Sequence, residues 1–472
     1  MSVAVGNSST APDRPLRSRL VLAILLTCQL MIILDVTVMN VALPAIRADL
    51  GFSAVGLSWV LDAYTLAFGG LLLLGGRLGD LCGRRRMFLV GVGIFTVASL
   101  LGGAALAPGW LLAARAAQGV GAALAGPNAL ALLTTLFTEP KERMRALALY
   151  SGMAGAGFAI GLIVGGALTE WFGWRAGLLI NVPLGGAAVL AALRYLPDVP
   201  RRPARPDLPG AVLATTGVGA LVYGFISAAA HGWRDTATDL ALVAGVLLLV
   251  AFLVVERRAA QPLLPLGLFA DRNRAVAYFN IVVGYMGSMS MFFFLTLYLQ
   301  DVHHMSALAT GVAFLPTAVL MFAMMRLVPR LLPRFGPKPV TMAGSASMVA
   351  GMVVLTQLTT GTPYFPMVFA AAVLMGVGVG LALMPLSVII MTDVPAEVAG
   401  AAGGAMQTAQ QTGTALGLAI LVSVFGTGAR GVAGPAEHAL VAGVTAAFAA
   451  AAVMAAMTFA GASAFRRTEP RI

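Results

Sequence analysis

Fourteen apolar runs of about 20 residues, each long enough to cross a hydrocarbon layer about 30 Å thick, alternate with short polar segments along almost the whole 472-residue chain. No period-2 strand alternation competes with them, so the pattern predicts an all-helical polytopic membrane protein. The runs are spaced as six, two and six. That spacing predicts a polar tail over 1–19, a six-helix bundle over 20–196 and linker loops with two additional helices over 197–274. A second six-helix bundle over 275–464 and a short tail over 465–472 follow. Two bundles of this size, with a substrate site between them, are a recurring transporter layout. The first run covers about 20–43, with Pro44 expected to end it.

Composition agrees: hydrophobic residues make up 59 % of the chain and charged ones only 10 %, which excludes a soluble protein. The net charge of +11 acquires meaning from its distribution. Of the 30 Lys and Arg, only Arg47, Arg175, Arg234 and Arg430 fall on the side opposite the termini, and Arg115 falls within a run. The positive-inside rule then puts both termini in the cytoplasm. The basic excess reports topology and contact with anionic membrane lipids, not nucleic acid. The first run lacks a small-residue cleavage pattern and reads as an uncleaved span. Cys28 and Cys82 lie in a span and a loop, out of reach of each other.

Three ionisable residues interrupt the apolar runs: Asp35, Asp62 and Arg115. Each costs about 2.5 to 3.5 kcal/mol on insertion scales and needs a partner or water. Counting about 1.5 Å per residue from the outer helix ends puts Asp35 about 12 Å deep and the other two about 8 Å deep. That shared layer permits an Arg115 ion pair with one or both carboxylates, with Gln118 adding a hydrogen bond one turn further on. A carboxylate that is desolvated in one state and paired in another takes up and releases a proton as the states alternate. A permanent structural pair is the alternative.

After the second run, Gly76-Arg77-Leu78-Gly79-Asp80-Leu81-Cys82-Gly83-Arg84-Arg85-Arg86 forms a tight turn with one acid among four arginines. Asp80 falls at a helix C-terminus, where its charge is unfavourable unless an arginine or another helix N-terminus compensates. Such an arrangement suits a two-state conformational latch, carried by Gly76, Asp80, Gly83, Arg84 and Arg85.

This stretch resembles the G-x-L-x-D-x-x-G-R-R signature of the major facilitator superfamily. Leu34 to Pro44, Arg115 to Ala123, and Trp174-Arg175 with Ile180 to Gly185 resemble signatures of its fourteen-span drug:proton antiporters. The similarity continues through Pro262 to Pro265, Leu297 to Gln300, Gly311 to Pro316 and Gln411 to Gly417. The resemblance implies the major facilitator fold and proton-driven export, with Asp35, Asp62 and Arg115 at coupling positions. The antiporter glycine motif is present as Gly157, Gly161, Gly165 and Gly166, a helix-packing face, but Leu162 stands where proline is usual. A straighter fifth helix is therefore expected. Ala176 and Leu178 replace aromatics of the Trp-Arg motif, and around Arg330 to Lys338 a degenerate second latch puts Pro333 opposite Asp80.

The expected substrate cavity draws on Asn40, Trp59, Tyr64, Gln118, Asn181, Met289, Phe293 and Tyr298. Thioethers and aromatic rings suit a lipophilic ligand, and Asp62, Tyr64 and Trp59 together suit an apolar cation. His231, His303, His304 and His438 fall in outer loops, and no metal-ligand spacing or phosphate-binding loop accompanies them. The sequence therefore predicts no enzyme, no metal, no nucleotide and no cofactor beyond the proton gradient. The expected function is export of small hydrophobic or cationic drugs in exchange for protons across the bacterial inner membrane. A metabolite exporter or importer of the same fold, or a membrane sensor on a transporter scaffold, are the alternatives.

Overall fold

Backbone N–H and C=O groups find no water inside a bilayer, so each apolar run must satisfy its own as a helix. In the computed structural model, which describes residues 14–200, 207–259 and 262–466, the runs do so. Fourteen helices are long and apolar enough to cross a membrane: α1 Ser18–Leu50, α2 Gly56–Cys82, α3 Arg84–Gly103, α4 Pro108–Leu136, α5 Pro140–Phe172, α6 Trp174–Tyr195 and α7 Leu208–His231, then α8 Thr236–Arg258, α9 Arg272–Val302, α10 Ala307–Phe335, α11 Pro337–Leu355, α12 Tyr364–Met391, α13 Val398–Ala429 and α14 Ala436–Ser463. The chain is a multi-pass membrane protein. The sequence-predicted tails and the arginine-rich loop 201–206 lie largely or wholly outside the described residues.

Several helices run past the hydrocarbon-length spans read from sequence. Most consequential is α1, which does not stop at Pro44 but continues to Leu50. A proline withdraws one donor from the helix ladder, while Val41, Leu43 and Ile46 are fully buried around it. Packing outweighs that single missing bond. The longer helix puts Asp35 about 22 Å from the outer end of α1 at about 1.5 Å per residue, deeper than the sequence count gave. The fifth helix is continuous through Leu162.

Helices α1 to α6 pack among themselves, chiefly α2 and α3 on α4 and α1 on α5, and α9 to α14 form a second set. The inserted hairpin α7–α8 leans on the seam between them: α7 touches both α2 and α13, while α8 packs almost wholly on α7. Leu240, Val243, Leu247 and Val250 of α8 are exposed, as lipid-facing positions should be. Across the seam, α2 lies on α13 and α5 on α10.

The first and last of the fourteen helices, α1 and α14, begin and end at one face, here the terminal face, since an even number of crossings returns the described chain to its starting side. At the opposite, distal face the two bundles are tied together. Arg47 at the end of α1 pairs with Asp301 of α9 at 3.0 Å, Gln300 donates to the Val41 carbonyl at 2.9 Å, and the Leu308 amide donates to Glu170 at 3.1 Å. Among the described residues, Arg47–Asp301 is the one ion pair between the bundles. The structure is therefore closed at its distal face. Gly166 of α5 sits against the backbone of Ala307 and Leu308 there, a contact no larger residue permits.

Within the first bundle, a Cβ on Gly75 would overlap the Ala123 carbonyl of α4. Gly75→Ala should therefore cost about 1–3 kcal/mol and lower the melting temperature of the purified protein. Gly219→Ala, at a position with open space around it, should not; equal melting temperatures for both would show the α2–α4 contact to be looser than described.

Candidate functional site

At the centre of the first bundle, Asp35 of α1 and Arg115 of α4 form an ion pair with both side chains fully buried. Four further groups complete it. Gln118 donates to Asp35 Oδ1 at 2.8 Å and accepts from Arg115 Nη1 at 2.8 Å, and Asn181 of α6 donates to Asp35 Oδ1 at 3.3 Å. Arg115 Nε donates to the Val60 carbonyl of α2 at 2.9 Å. Its guanidinium lies 4.6 Å from the Tyr64 ring centroid, in cation–π range. Gln118 Nε2 also reaches Ser99 Oγ of α3 at 2.8 Å. Helices α1, α4 and α6 thus meet at the carboxylate, while α2 holds the guanidinium and α3 holds Gln118. Desolvating such a pair is expensive, and only excellent geometry with added hydrogen bonds offsets it.

Arg115 and Tyr64 also form the wall of a small cavity, about 50 Å³, between the two bundles. Thr37 and Asn40 border it from α1, Met289 and Phe292 from α9, and Thr414 from α13. This volume holds a few waters and is far below the roughly 300–1,000 Å³ of ligand sites. The central space is therefore contracted. Asn40 Oδ1 and the Tyr64 hydroxyl are buried there without hydrogen-bond partners.

Of the eight residues expected around the substrate, Asn40, Tyr64 and Met289 border this cavity. Gln118 and Asn181 instead hold Asp35. Phe293 stacks edge-on against Phe294 inside the second bundle, and Tyr298 is drawn to the distal end, donating to the Thr359 carbonyl at 2.7 Å. Trp59 faces the Tyr223 ring of α7 with centroids 6.4 Å apart. Trp59, Phe293 and Tyr298 do not border the central cavity. Helical periodicity explains the first: residues 59 and 64 lie on different faces of α2, so Asp62, Tyr64 and Trp59 do not form one cation site.

Asp62 does not reach Arg115. Its side chain is almost fully buried, and neither oxygen has a hydrogen-bond partner. The Ser58 hydroxyl, which faces it, donates to the Val55 carbonyl at 3.1 Å instead. Equal depth on different helices permitted two partners; the rotation of α2 gives Arg115 only one.

At the terminal face, Asp80 accepts from Arg84 Nε and Nη2 at 3.1 and 2.9 Å. Arg84 also donates to Thr135 Oγ1 at 2.7 Å and to the Ala131 carbonyl on α4. The compensating arginine is thus four residues away, and it binds α2, α3 and α4 together. Gly83, at φ 102°, makes the turn that allows this. Arg85 reaches the Leu193 carbonyl at 2.7 Å and Asp198, and Gly76 lies near Pro127 of α4. In the second bundle Gly336, at φ 77°, makes the equivalent turn without an acid, and Lys338 there donates to the Phe465 carbonyl at 2.9 Å.

Of the glycine motif, Gly157, Gly161 and Gly165 face α1 at Ile33, Thr37 and Val38, whereas Gly166 faces α10. One face of α5 therefore holds the bundle together while its edge meets the other bundle. Sequence reasoning missed Ser99 and the distal Arg47–Asp301 tie. A signal for the tie existed: Arg47 is one of the few basic residues on the distal side, and Asp301 is the acid that ends α9.

Comparisons with known proteins agree with this architecture. The chain is 46 % identical to the puromycin resistance protein Pur8 of Streptomyces alboniger, over 85 % of this chain and 81 % of that one. It is 42 % identical to the cephamycin export protein CmcT of Amycolatopsis lactamdurans, over 88 % and 86 %. With the tetracenomycin C resistance and export protein of Streptomyces glaucescens it shares 37 % identity, over 83 % and 73 %. Among solved structures, the POT family transporter PepTSo superposes with a TM-score of 0.70, covering 97 % of this chain and 100 % of that one. At 14 % identity that likeness is one of fold alone. The model of the Major Facilitator Superfamily matches residues 25–418, and the chain belongs to that family.

Proposed function

We propose that this protein is a proton-coupled antiporter that exports small hydrophobic or cationic antibiotics across the bacterial cytoplasmic membrane, its terminal face in the cytoplasm. The observation that carries the reading is the buried Asp35–Arg115 pair, whose arginine also forms the wall of the cavity between the bundles. Three relatives named for antibiotic resistance or export, all from bacteria, support the substrate class. Orientation rests on the concentration of Lys and Arg at the terminal face. The protein works without a cofactor, as a transporter and not an enzyme, with the proton gradient as its energy source.

Coupling follows from charge. With Asp35 ionised, the pair is neutral and Arg115 presents no net charge to the cavity. A proton on Asp35 leaves the guanidinium unbalanced against a low-dielectric space, where it repels a cation and loosens the contacts that converge on the carboxylate. Proton and cationic substrate then exclude each other, which is the requirement for exchange. Asp62, a second buried carboxylate on α2, supplies a further proton position. The Asp80–Arg84 network sets the cost of moving α2, α3 and α4 relative to one another.

In proteoliposomes with an imposed pH gradient, Asp35→Asn should abolish gradient-driven efflux of ethidium while the protein still inserts and purifies as a monodisperse species. Wild-type rates in that variant would refute the coupling role. Asp80→Ala should slow turnover severalfold and leave the dependence on the gradient intact; unchanged kinetics would remove the latch from the mechanism.

A further inference from the structure

One face of α3 carries two adjoining openings. At its terminal end, a pocket of about 420 Å³ is lined by Cys82 at the end of α2, by Arg85, Arg86 and Leu89 of α3 and by Asp198 beyond α6. Next to it, a groove of about 540 Å³ runs between Val90, Gly93 and Val97 of α3 and Ala113 and Ala117 of α4, with Trp110 towards the distal end. Arg86, Val90, Ile94, Val97 and Leu101 recur at steps of three and four residues, the spacing that keeps side chains on one helix face, so pocket and groove lie end to end. From Arg86 to Val97 the helix rises about 16 Å, roughly one leaflet of a hydrocarbon core about 30 Å thick. Val90, Val97 and Leu101 are exposed, and open space surrounds Gly93, so its missing side chain is part of the groove.

The pocket favours an anion. Helix α3 begins at Gly83 without a side-chain cap and with no acid in its first turn, so the free amides and the positive end of its dipole are available there. Arg85 and Arg86 add two full charges. Arg85 spans to the end of α6, donating to the Leu193 carbonyl at 2.7 Å and to Asp198 at 3.3 Å, while its Nε is buried without a hydrogen-bond partner. Arg86 forms no ion pair among the described residues. Asp198 is the acid among the lining residues; its side chain is 83 % exposed, and an ion pair so open to water is weak. Two guanidinium groups against one carboxylate leave one positive charge, which a phosphodiester would balance. The stretch that follows in sequence, Arg201 to Pro206, contains three arginines and no acid.

We propose that Arg85, Arg86 and the uncapped start of α3 hold the phosphate of an anionic phospholipid from the leaflet at the terminal face, with an acyl chain lying in the groove along α3. A dissolved phosphate ion would meet the same arginines but leave the apolar groove unused. A zwitterionic headgroup would bring an ammonium group against two guanidinium groups. Charge and groove together therefore select one occupant. The site is separate from the central cavity, since its residues lie on the exposed face of α3, and the inference does not depend on the export reading. It adjoins the turn where Arg84 holds Asp80, and Arg85 links α3 to the end of α6. A bound headgroup would therefore join the corner that the α2–α3 turn makes with α6.

The pocket contains its own reporter. Cys82 lines it and is partly exposed, whereas Cys28, the other cysteine of the chain, is buried. The test is the rate at which neutral N-ethylmaleimide alkylates Cys82 of the full-length protein in phosphatidylcholine nanodiscs, with and without phosphatidylglycerol. Phosphatidylglycerol should slow alkylation severalfold in wild type. Arg86→Gln should lose most of that protection. So should Gly93→Leu, which fills the groove at a position with open space around it; Val97→Trp blocks the same groove should Gly93→Leu misfold. The surface potential of the bilayer acts on every variant alike and cancels in the comparison. No slowing in wild type, or equal protection in wild type and Arg86→Gln, would overturn the arginine site. Equal protection in wild type and both groove variants, or protection by inorganic phosphate in pure phosphatidylcholine, would overturn the lipid in favour of a free anion. Protection by phosphatidylethanolamine as strong as that by phosphatidylglycerol would overturn the charge requirement. None of these readouts involves efflux, so failure of the export reading would leave them intact.

Discussion

A carboxylate and a guanidinium held out of water, Asp35 against Arg115, are the constraint around which the first bundle is arranged. An ion pair in that position is tolerable only with added hydrogen bonds; Arg115 Nη2 has none, and the partners of the other atoms come from different helices: Gln118 beside Arg115 on α4, Asn181 on α6, the Val60 carbonyl on α2. The Tyr64 ring covers the guanidinium face. Any rotation of one helix against the others breaks several of these contacts together. A disturbance at the pair would thereby be felt by the whole bundle, since nothing in a close-packed interior deforms continuously to absorb it.

For such a bundle to move as a unit, its contacts with the other half must be few and of a kind that can be broken. The distal face meets that condition. One ion pair, two hydrogen bonds and the glycine contact at Gly166 tie the bundles there. These are partly exposed polar bonds, modest in strength when water replaces them. The terminal face is organised differently: Arg84 binds α2, α3 and α4 to one another within the bundle, not across the seam. A stiffened bundle with breakable distal ties is what alternation between two closed ends requires.

Much of this was legible in the sequence, because lipid enforces simple rules. Span number follows from apolar length, and the glycine motif from the need for close helix contact. The convergence of Asp35, Arg115 and Gln118 followed from depth and from the cost of leaving charge unpaired in an apolar run. What was not legible depends on rotation about helix axes and on distant chain segments. Depth alone could not separate Asp35 from Asp62, because which acid faces α4 is set by the azimuth of α2, fixed by packing against α4, α7 and α13. The same reason sends Trp59 to Tyr223 and Phe293 into the second bundle. Pro44 was read as a stop because local rules count its missing donor and not the burial of Val41, Leu43 and Ile46 around it.

The inserted hairpin shows how those rules combine. Helix α8 has a lipid-facing row of Leu and Val and almost no neighbour except α7, so its sequence reads as a plain membrane anchor. Its lower end is not plain, since Glu256 is withdrawn from water one turn below Phe252 and accepts from the amide of Leu264 in the linker. That linker also receives Arg77, in the last turns of α2, which reaches the Pro262 carbonyl at 3.4 Å. The hairpin, the linker and the terminal end of α2 are therefore mechanically continuous. A helix pair that served only to fill space beside the seam would need no buried acid at this junction, and a burial cost of this kind persists where it has a use.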